Sequence, residues 1–377
     1  MAFALTGALL CLPACRPAPE KPAAETAEAL YKAQKYREAR IELMNALQRN
    51  PTDRKLLLLH ARTLLELGEG EEAEANLRHA RDLGIARSEI QLLLARALLQ
   101  QGKAEQAIAE LGKSEAADAY RMRGQAQMRL RKPDLAKAEF DAGIAKYPAD
   151  AALLANRARL ALDARQLADA QSYAARALKL APTDLDALLV AGDSALAAGD
   201  RNAARAAYDE VIARYPQNVA AKLGKATILA AAGDKQGLAP LVDDLARRAP
   251  DNPVVIIMKA RQLMDAKQYD EANRLLRDKA ALIANQPDAL MAAGEIALEQ
   301  NYLSLAIDRF EQVLKIAPDN RKARYLLARA YIREGDQASA RNTLWPLLGA
   351  KDMPPDLAVI LVPPTIPGTP PNNGIKR

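Results

Sequence analysis

Apolar residues recur along this chain at helical spacing. Sets such as Ala136, Phe140, Gly143 and Ala306, Phe310, Val313 put small and large residues along one helix face. A second helix of the same kind precedes each of these. Turn formers such as Gly68, Gly102, Gly199, Gly233 and Gly335 stand between the two helices, and Pro51, Pro148, Pro182, Pro216, Pro250 and Pro318 close the units. The predicted unit is therefore a helical hairpin, and no strand-like alternation with turn chemistry competes with it.

The hairpins fall on a grid. Ala39, Ala73, Ala107, Ala136, Ala170, Ala204, Ala272, Ala306 and Ala340 mark it, with Leu238 in the remaining place. The interval is constant at about 34 residues, apart from one shorter step between Ala107 and Ala136. A second grid runs upstream of the first at a fixed offset and is filled by small residues only: Ala27, Ala61, Ala95, Gly124, Ala158, Gly192, Ala226, Ala260, Gly294 and Ala328. Small residues at these points let two antiparallel helices approach closely, and the aromatic or Leu that stands one turn beyond most grid alanines fills the gap. One hairpin leaves an apolar face bare, and stacking its neighbours buries that face as a continuous core. A chain of 377 residues would otherwise divide into two or three globular domains, but the repeat overrides that expectation.

Ala204-x3-Tyr208 with Pro216, and Ala306-x3-Phe310 with Pro318, carry a resemblance to the tetratricopeptide repeat family. It extends over residues 23–350 and implies an all-α, right-handed superhelical solenoid of about ten hairpins. Repeats one to three occupy residues 23–118, repeats four to ten residues 119–350, and a Pro-rich tail residues 351–377. The family is a binding scaffold with many unrelated partners, so the fold does not name the function.

Residues 2–14 are apolar and uncharged, too short to span a bilayer, and end in Leu12-Pro13-Ala14-Cys15. They read as the apolar core of a signal peptide over residues 1–14. The last four residues resemble the lipobox of bacterial lipoproteins, which implies lipidation of Cys15 and cleavage before it. Pro13 and the lack of Lys or Arg ahead of the apolar run depart from that pattern, and a start codon set too far downstream accounts for the second departure. Cys11 and Cys15 are the only cysteines, so the mature chain would keep no free thiol, as suits an oxidising periplasm. Arg16 is not the Asp that retains lipoproteins in the inner membrane of enteric bacteria. The expected location is thus periplasmic, lipid-anchored at the outer membrane, with residues 15–22 as lipidated Cys and spacer.

Enzyme chemistry needs nucleophiles, bases or metal ligands gathered in one place. His60 and His79 are the only histidines and lie on different helices, with no metal-ligand spacing between them. No phosphate loop, His-Glu-x-x-His or Gly-x-Ser-x-Gly motif is present. No catalytic residue, metal or cofactor is therefore expected. The net charge is +6, from 53 basic and 47 acidic residues, and the charges alternate along helices as in Arg37-Glu38-Ala39-Arg40. That pattern, with aromatics at 4%, disfavours nucleic acid as a partner.

In the tetratricopeptide family the first helix of each hairpin lines the concave groove, and the residue after the small packing position points into it. Here that position reads Glu28, Arg62, Arg96, Gln125, Arg159, Asp193, Thr227, Arg261, Glu295 and Arg329. The arginines 62, 96, 159, 261 and 329, flanked one turn away by apolar residues such as Leu58, Leu92 and Ile257, are the candidate partner groove. One reading is a groove for an acidic partner, a carboxylated polysaccharide or an acidic peptide. The other is a half-exposed face on which Arg pairs with acids of adjacent repeats.

Three breaks are expected: a shortened second helix or following turn around residues 114–120, a late or bent helix at Gly237 and Pro240, and an early end at Trp345-Pro346. Residues 357–362 are expected to cover the end of repeat ten. Tyr36-Arg-Glu-Ala-Arg-Ile-Glu-Leu-Met-Asn-Ala-Leu-Gln-Arg-Asn-Pro51, Leu83-Gly84 and Leu92-Leu-Leu-Ala-Arg-Ala-Leu98 resemble the tetratricopeptide lipoproteins of exosortase (PEP-CTERM) exopolysaccharide systems. That resemblance implies envelope proteins as partners and a role in polysaccharide export. Direct binding of acidic polysaccharide, and pilus or outer-membrane assembly, are the alternatives.

Overall fold

A computed structural model describes residues 23–284 and 286–361; Cys15, the signal segment and most of the Pro-rich tail lie outside the described residues. Among the described residues every regular element is helical, and the chain divides into two compact units, Met1–Gly199 and Asp200–Arg377.

In the first unit the hairpins are Ala23–Lys32 with Tyr36–Arg49, Arg54–Glu66 with Gly70–Asp82, Arg87–Gln100 with Ala104–Leu111, Ala117–Arg129 with Pro133–Lys146, and Ala151–Asp163 with Leu167–Leu180, followed by Leu185–Ala197. In the second unit Arg201–Arg214 precedes Val219–Ala232 with Lys235–Arg248, Pro253–Asp265 with Tyr269–Asp278, Pro287–Glu299 with Leu303–Ile316, and Arg321–Glu334 with Gln337–Leu344. Within each unit successive helices pack on one another, and first helices of neighbouring hairpins also touch. Each unit is a stack of hairpins, as the repeat predicts.

The two grids are the core. All nine grid alanines are fully buried, as are the small residues upstream, whereas Leu238 is only half-buried. Size is matched between the grids. Gly124 faces the ring of Phe140 and Gly294 that of Phe310, where a Cβ would stand 2.6 Å from a ring carbon. Hairpins with Leu43, Leu77 or Leu111 at the same place carry Ala27, Ala61 or Ala95 opposite it. Gly192 and Tyr208 stand in the same sequence relation, and the Tyr208 ring lies against Gly224. The aromatic thus takes the volume the missing methyl vacates.

Helix starts are set by side-chain caps. Asp53, Asp150, Asp184, Asn218, Asn252 and Asn320, each closely following a Pro, accept from backbone N–H groups of the helix that follows. The turn inside each hairpin carries one residue of positive φ, at positions 34, 68, 102, 131, 165, 199, 233, 267, 301 and 335. The same register holds through the short step of the grid.

That short step reduces a second helix to Ala104–Leu111, and Trp345–Leu347 ends the last one as a 3-10 turn. The expected late start at Gly237 and Pro240 is corrected: Lys235–Arg248 starts in register, capped by Asp234, which accepts from Gly237 N at 2.9 Å. Pro240 lies beyond the first free N–H groups, so it removes the one intrahelical bond its own N–H would make, while the Asp234 cap fixes where the helix starts. An interruption the pattern does not reveal separates Tyr269–Asp278 from Ala280–Ile283 at Lys279. The fourth hairpin begins at Ala117, slightly ahead of the expected boundary. Pro355–Leu361 closes the second unit, with Leu357 and Leu361 buried against Ala328, Ala340 and Leu344.

Candidate protein-binding face

Within each unit the first helices place the residue after each small packing position on one face. Arg96 pairs with Glu66 at 2.9 Å, Arg159 with Asp193, and Arg261 with Asp288 at 2.9 Å; Arg329 lays its guanidinium across both oxygens of Asp356, at 3.0 and 3.3 Å from one nitrogen. Arg62 is exposed and has no carboxylate within ion-pair reach among the described residues. Arg62 and Arg96 lie near enough to Tyr31 to act on its phenol, which burial, Glu66 and Tyr36 push up and the two arginines pull back.

In the second unit these pairs form a regular ladder. Arg261 with Asp288, Glu295 with Lys322 at 2.5 Å, and Arg329 with Asp356 join successive first helices at one constant interval, with the sign reversed in the middle rung. Spacing of opposite charges at that interval was the signal that could have found Asp288 and Asp356. In the first unit the equivalent acid for Arg62 is Glu89, and it is taken by Arg54.

Each unit has a recess on its own face. One, of about 370 Å³, lies between Arg87–Gln100 and Ala117–Arg129 and is bounded by Leu92, Arg96, Asp118, Arg121, Gln125 and Arg129. Asp118 is engaged by Arg121 at 2.5 Å, and Arg129 donates to the Leu99 carbonyl, so arginine dominates the rim. The other, of about 680 Å³, lies in the second unit around Thr227, Leu238, Val254, Ile257, Met258 and Arg261. Of the five arginines named from sequence, Arg96 borders the first recess and Arg261 the second; Arg62, Arg159 and Arg329 border neither. Arg121, Arg129 and Lys235 are added by the fold.

His60 is half-buried with Nδ1 3.0 Å from the Asn76 amide nitrogen, and burial followed by Arg40 lowers its pKa. His79 is exposed. Among the described residues no cluster of His, Cys, Asp or Glu is arranged to hold a metal, and no helix is long and apolar enough to cross a membrane.

Tetratricopeptide repeat models match residues 58–121, 121–185 and 189–253, and a further one matches residues 297–357. Together they take in more than half of the chain. A chain from the crystal structure of the APC/C hetero-tetramer Cut9-Hcn1 aligns over 86% of this chain and 86% of its own, with 16% identity and a TM-score of 0.39, a likeness too loose to bear on arrangement or partner. No curated protein matches. Arrays of this kind are in general non-catalytic scaffolds for other proteins. With hairpins, register and packing grids all in place, the chain belongs to the tetratricopeptide repeat family.

Proposed function

We propose that this chain is a lipid-anchored periplasmic scaffold that holds proteins of an envelope export or assembly system together, with extracellular polysaccharide as the exported material. The observation that carries the binding role is the face each unit builds from its first helices, where its recess opens to solvent between side chains of successive repeats. Leu12-Pro13-Ala14-Cys15 supports the anchor, and the likeness of the first repeats to exosortase-associated lipoproteins supports the pathway. Labelling cells with a palmitate analogue tests the anchor: the label is expected on the wild type and lost in Cys15→Ala. A photo-crosslinking residue at Thr227 in the same cells is expected to capture envelope proteins, and capture of cytosolic proteins alone would overturn the reading.

A second reading, direct binding of an acidic polysaccharide, is favoured by Arg62, whose guanidinium faces no acid among the described residues. Arg62→Ala with Arg96→Ala is expected to weaken binding of polygalacturonate at low salt by about tenfold, roughly 1.4 kcal/mol, while Arg329→Ala leaves it unchanged. Equal loss in both variants would exclude a site in the first unit.

A further inference from the structure

The recess of about 680 Å³ in the second unit stands where the alanine grid fails. At every other grid position a buried Ala lets the second helix close on the first, whereas Leu238 is larger and only half-buried, and with Ala239 it borders the opening. The opposite wall comes from Pro253–Asp265, with Val254, Ile257 and Met258 turned toward the space. Residues 254–288 supply most of the lining, and they fall between the family matches that end at 253 and resume at 297.

The charges around this space are already satisfied. Lys235 pairs with Asp265 at 2.6 Å and Arg261 with Asp288 at 2.9 Å. Gln262 donates to the Ala239 carbonyl and accepts from Lys259, and Thr227 donates to the Leu223 carbonyl. A charged occupant would have to break one of these pairs to gain a partner. An uncharged apolar group only displaces water from Ile257, Met258 and Val254, which is favourable in proportion to the area covered. The volume lies within the roughly 300–1,000 Å³ of ligand pockets. A polar, ion-paired rim around an apolar floor suits an apolar side chain carried on a peptide backbone, since the backbone amides stay among polar groups while the side chain is buried.

We propose that this recess is an anchor site for an uncharged apolar side chain, of Leu or Phe size, on a partner polypeptide. The proposal rests on the first helices being the binding face. Its test needs no native partner, so it can fail while Cys15 labelling and envelope cross-links succeed, and the reverse.

The full chain, carbon-13 labelled at Ile and Met methyl groups, is titrated with N-acetyl-leucine amide, N-acetyl-phenylalanine amide, N-acetyl-aspartate amide and decanoate. The Leu and Phe amides are expected to shift the Ile257 and Met258 methyls saturably, with half-saturation in about the millimolar range, and the Asp amide is not. Thr227→Trp at the exposed rim is expected to raise half-saturation about tenfold. Val254→Glu, on a side chain 47% exposed, gives the same outcome by placing a charge at the mouth if the Trp variant does not fold. No saturable shift at these methyls, or an equal response to the Asp amide, overturns the proposal. A response to decanoate without one to the amides overturns it in favour of a lipid chain.

Discussion

Opposite charges set one constant interval apart close into pairs along the first helices of Asp200–Arg377, whereas in Met1–Gly199 the same interval joins Arg62 to Glu89 and Arg159 to Asp186 and neither pair forms. Arg54 holds Glu89, and Asp193 holds Arg159. One repeat frame therefore presents two surfaces. In the second unit the ladder neutralises itself, and an apolar recess opens beside its first rung, Arg261 with Asp288. In the first, the competing partner leaves a guanidinium facing solvent beside an arginine-rimmed recess. Which acid an arginine meets is decided by its nearest competitor as well as by the repeat interval, so equal spacing does not give equal electrostatics.

Breaking the stack under one surface separates the two units most sharply. Gly124→Ala pushes a methyl into the Phe140 ring and is expected to cost about 1–3 kcal/mol, with lost hydrogen-exchange protection confined to the first unit. Adding Phe140→Leu recreates the Ala and Leu pairing of the other repeats and is expected to recover most of that loss. Equal loss of protection in both units would show that they melt as one.

Next in size is the carboxylate behind the first unit's face. Burial alone would raise the Glu74 carboxyl, but hydrogen bonds from Lys103, Arg78 and Gln101 hold it at about 2. Because its pKa is depressed on folding, its contribution is fully present above its ordinary 4.5 and is lost as pH falls toward 2. Glu74→Gln is expected to lower stability by about 1–2 kcal/mol at neutral pH and to flatten the acid limb of the denaturation curve. An unchanged acid limb would show that other carboxylates govern it.

Reversing one rung of the ladder tests whether it neutralises the second unit. Glu295→Lys sets like charges against Lys322 and is expected to cost about 0.5–1 kcal/mol, recovered when Lys322→Glu is added, as read from a double-mutant cycle in urea. The smallest effect belongs to Arg62→Ala, expected within about 0.5 kcal/mol of wild type because no ion pair is lost. A larger loss would reveal an undetected partner and make the two surfaces alike.

The hairpins, the two grids and a shortening around Ser114 were legible because each rests on local spacing, while in the structure the shortening falls on the helix Ala104–Leu111. The match of Gly124 to Phe140 and of Gly294 to Phe310, between the two helices of one hairpin, was equally present in the letters and needed only size to be compared across the pair. Gly237 and Pro240 misled about where the helix starts because the Asp234 cap, ahead of both, sets that point. The interruption at Lys279 lies in a run of good helix formers and carries no breaker. On the binding face, sequence located Arg96 and Arg261 but not whether an arginine is occupied, since Glu66 and Arg54 reach their partners across neighbouring repeats. Pairing from one repeat to the next is a property of the stack.

The turns that join the paired helices have a practical consequence. Five of the ten positive-φ positions hold Gly, but Gln34, Arg131, Arg165, Lys267 and Asn301 adopt the same left-handed conformation with φ between 56° and 61°. A side chain there costs about 1–2 kcal/mol, less for Asn, and glycine does not incur that cost. These sites are ready-made adjustment points for heat resistance. Glycine introduced one turn at a time would tune how firmly each hairpin closes while leaving the residues of both recesses untouched.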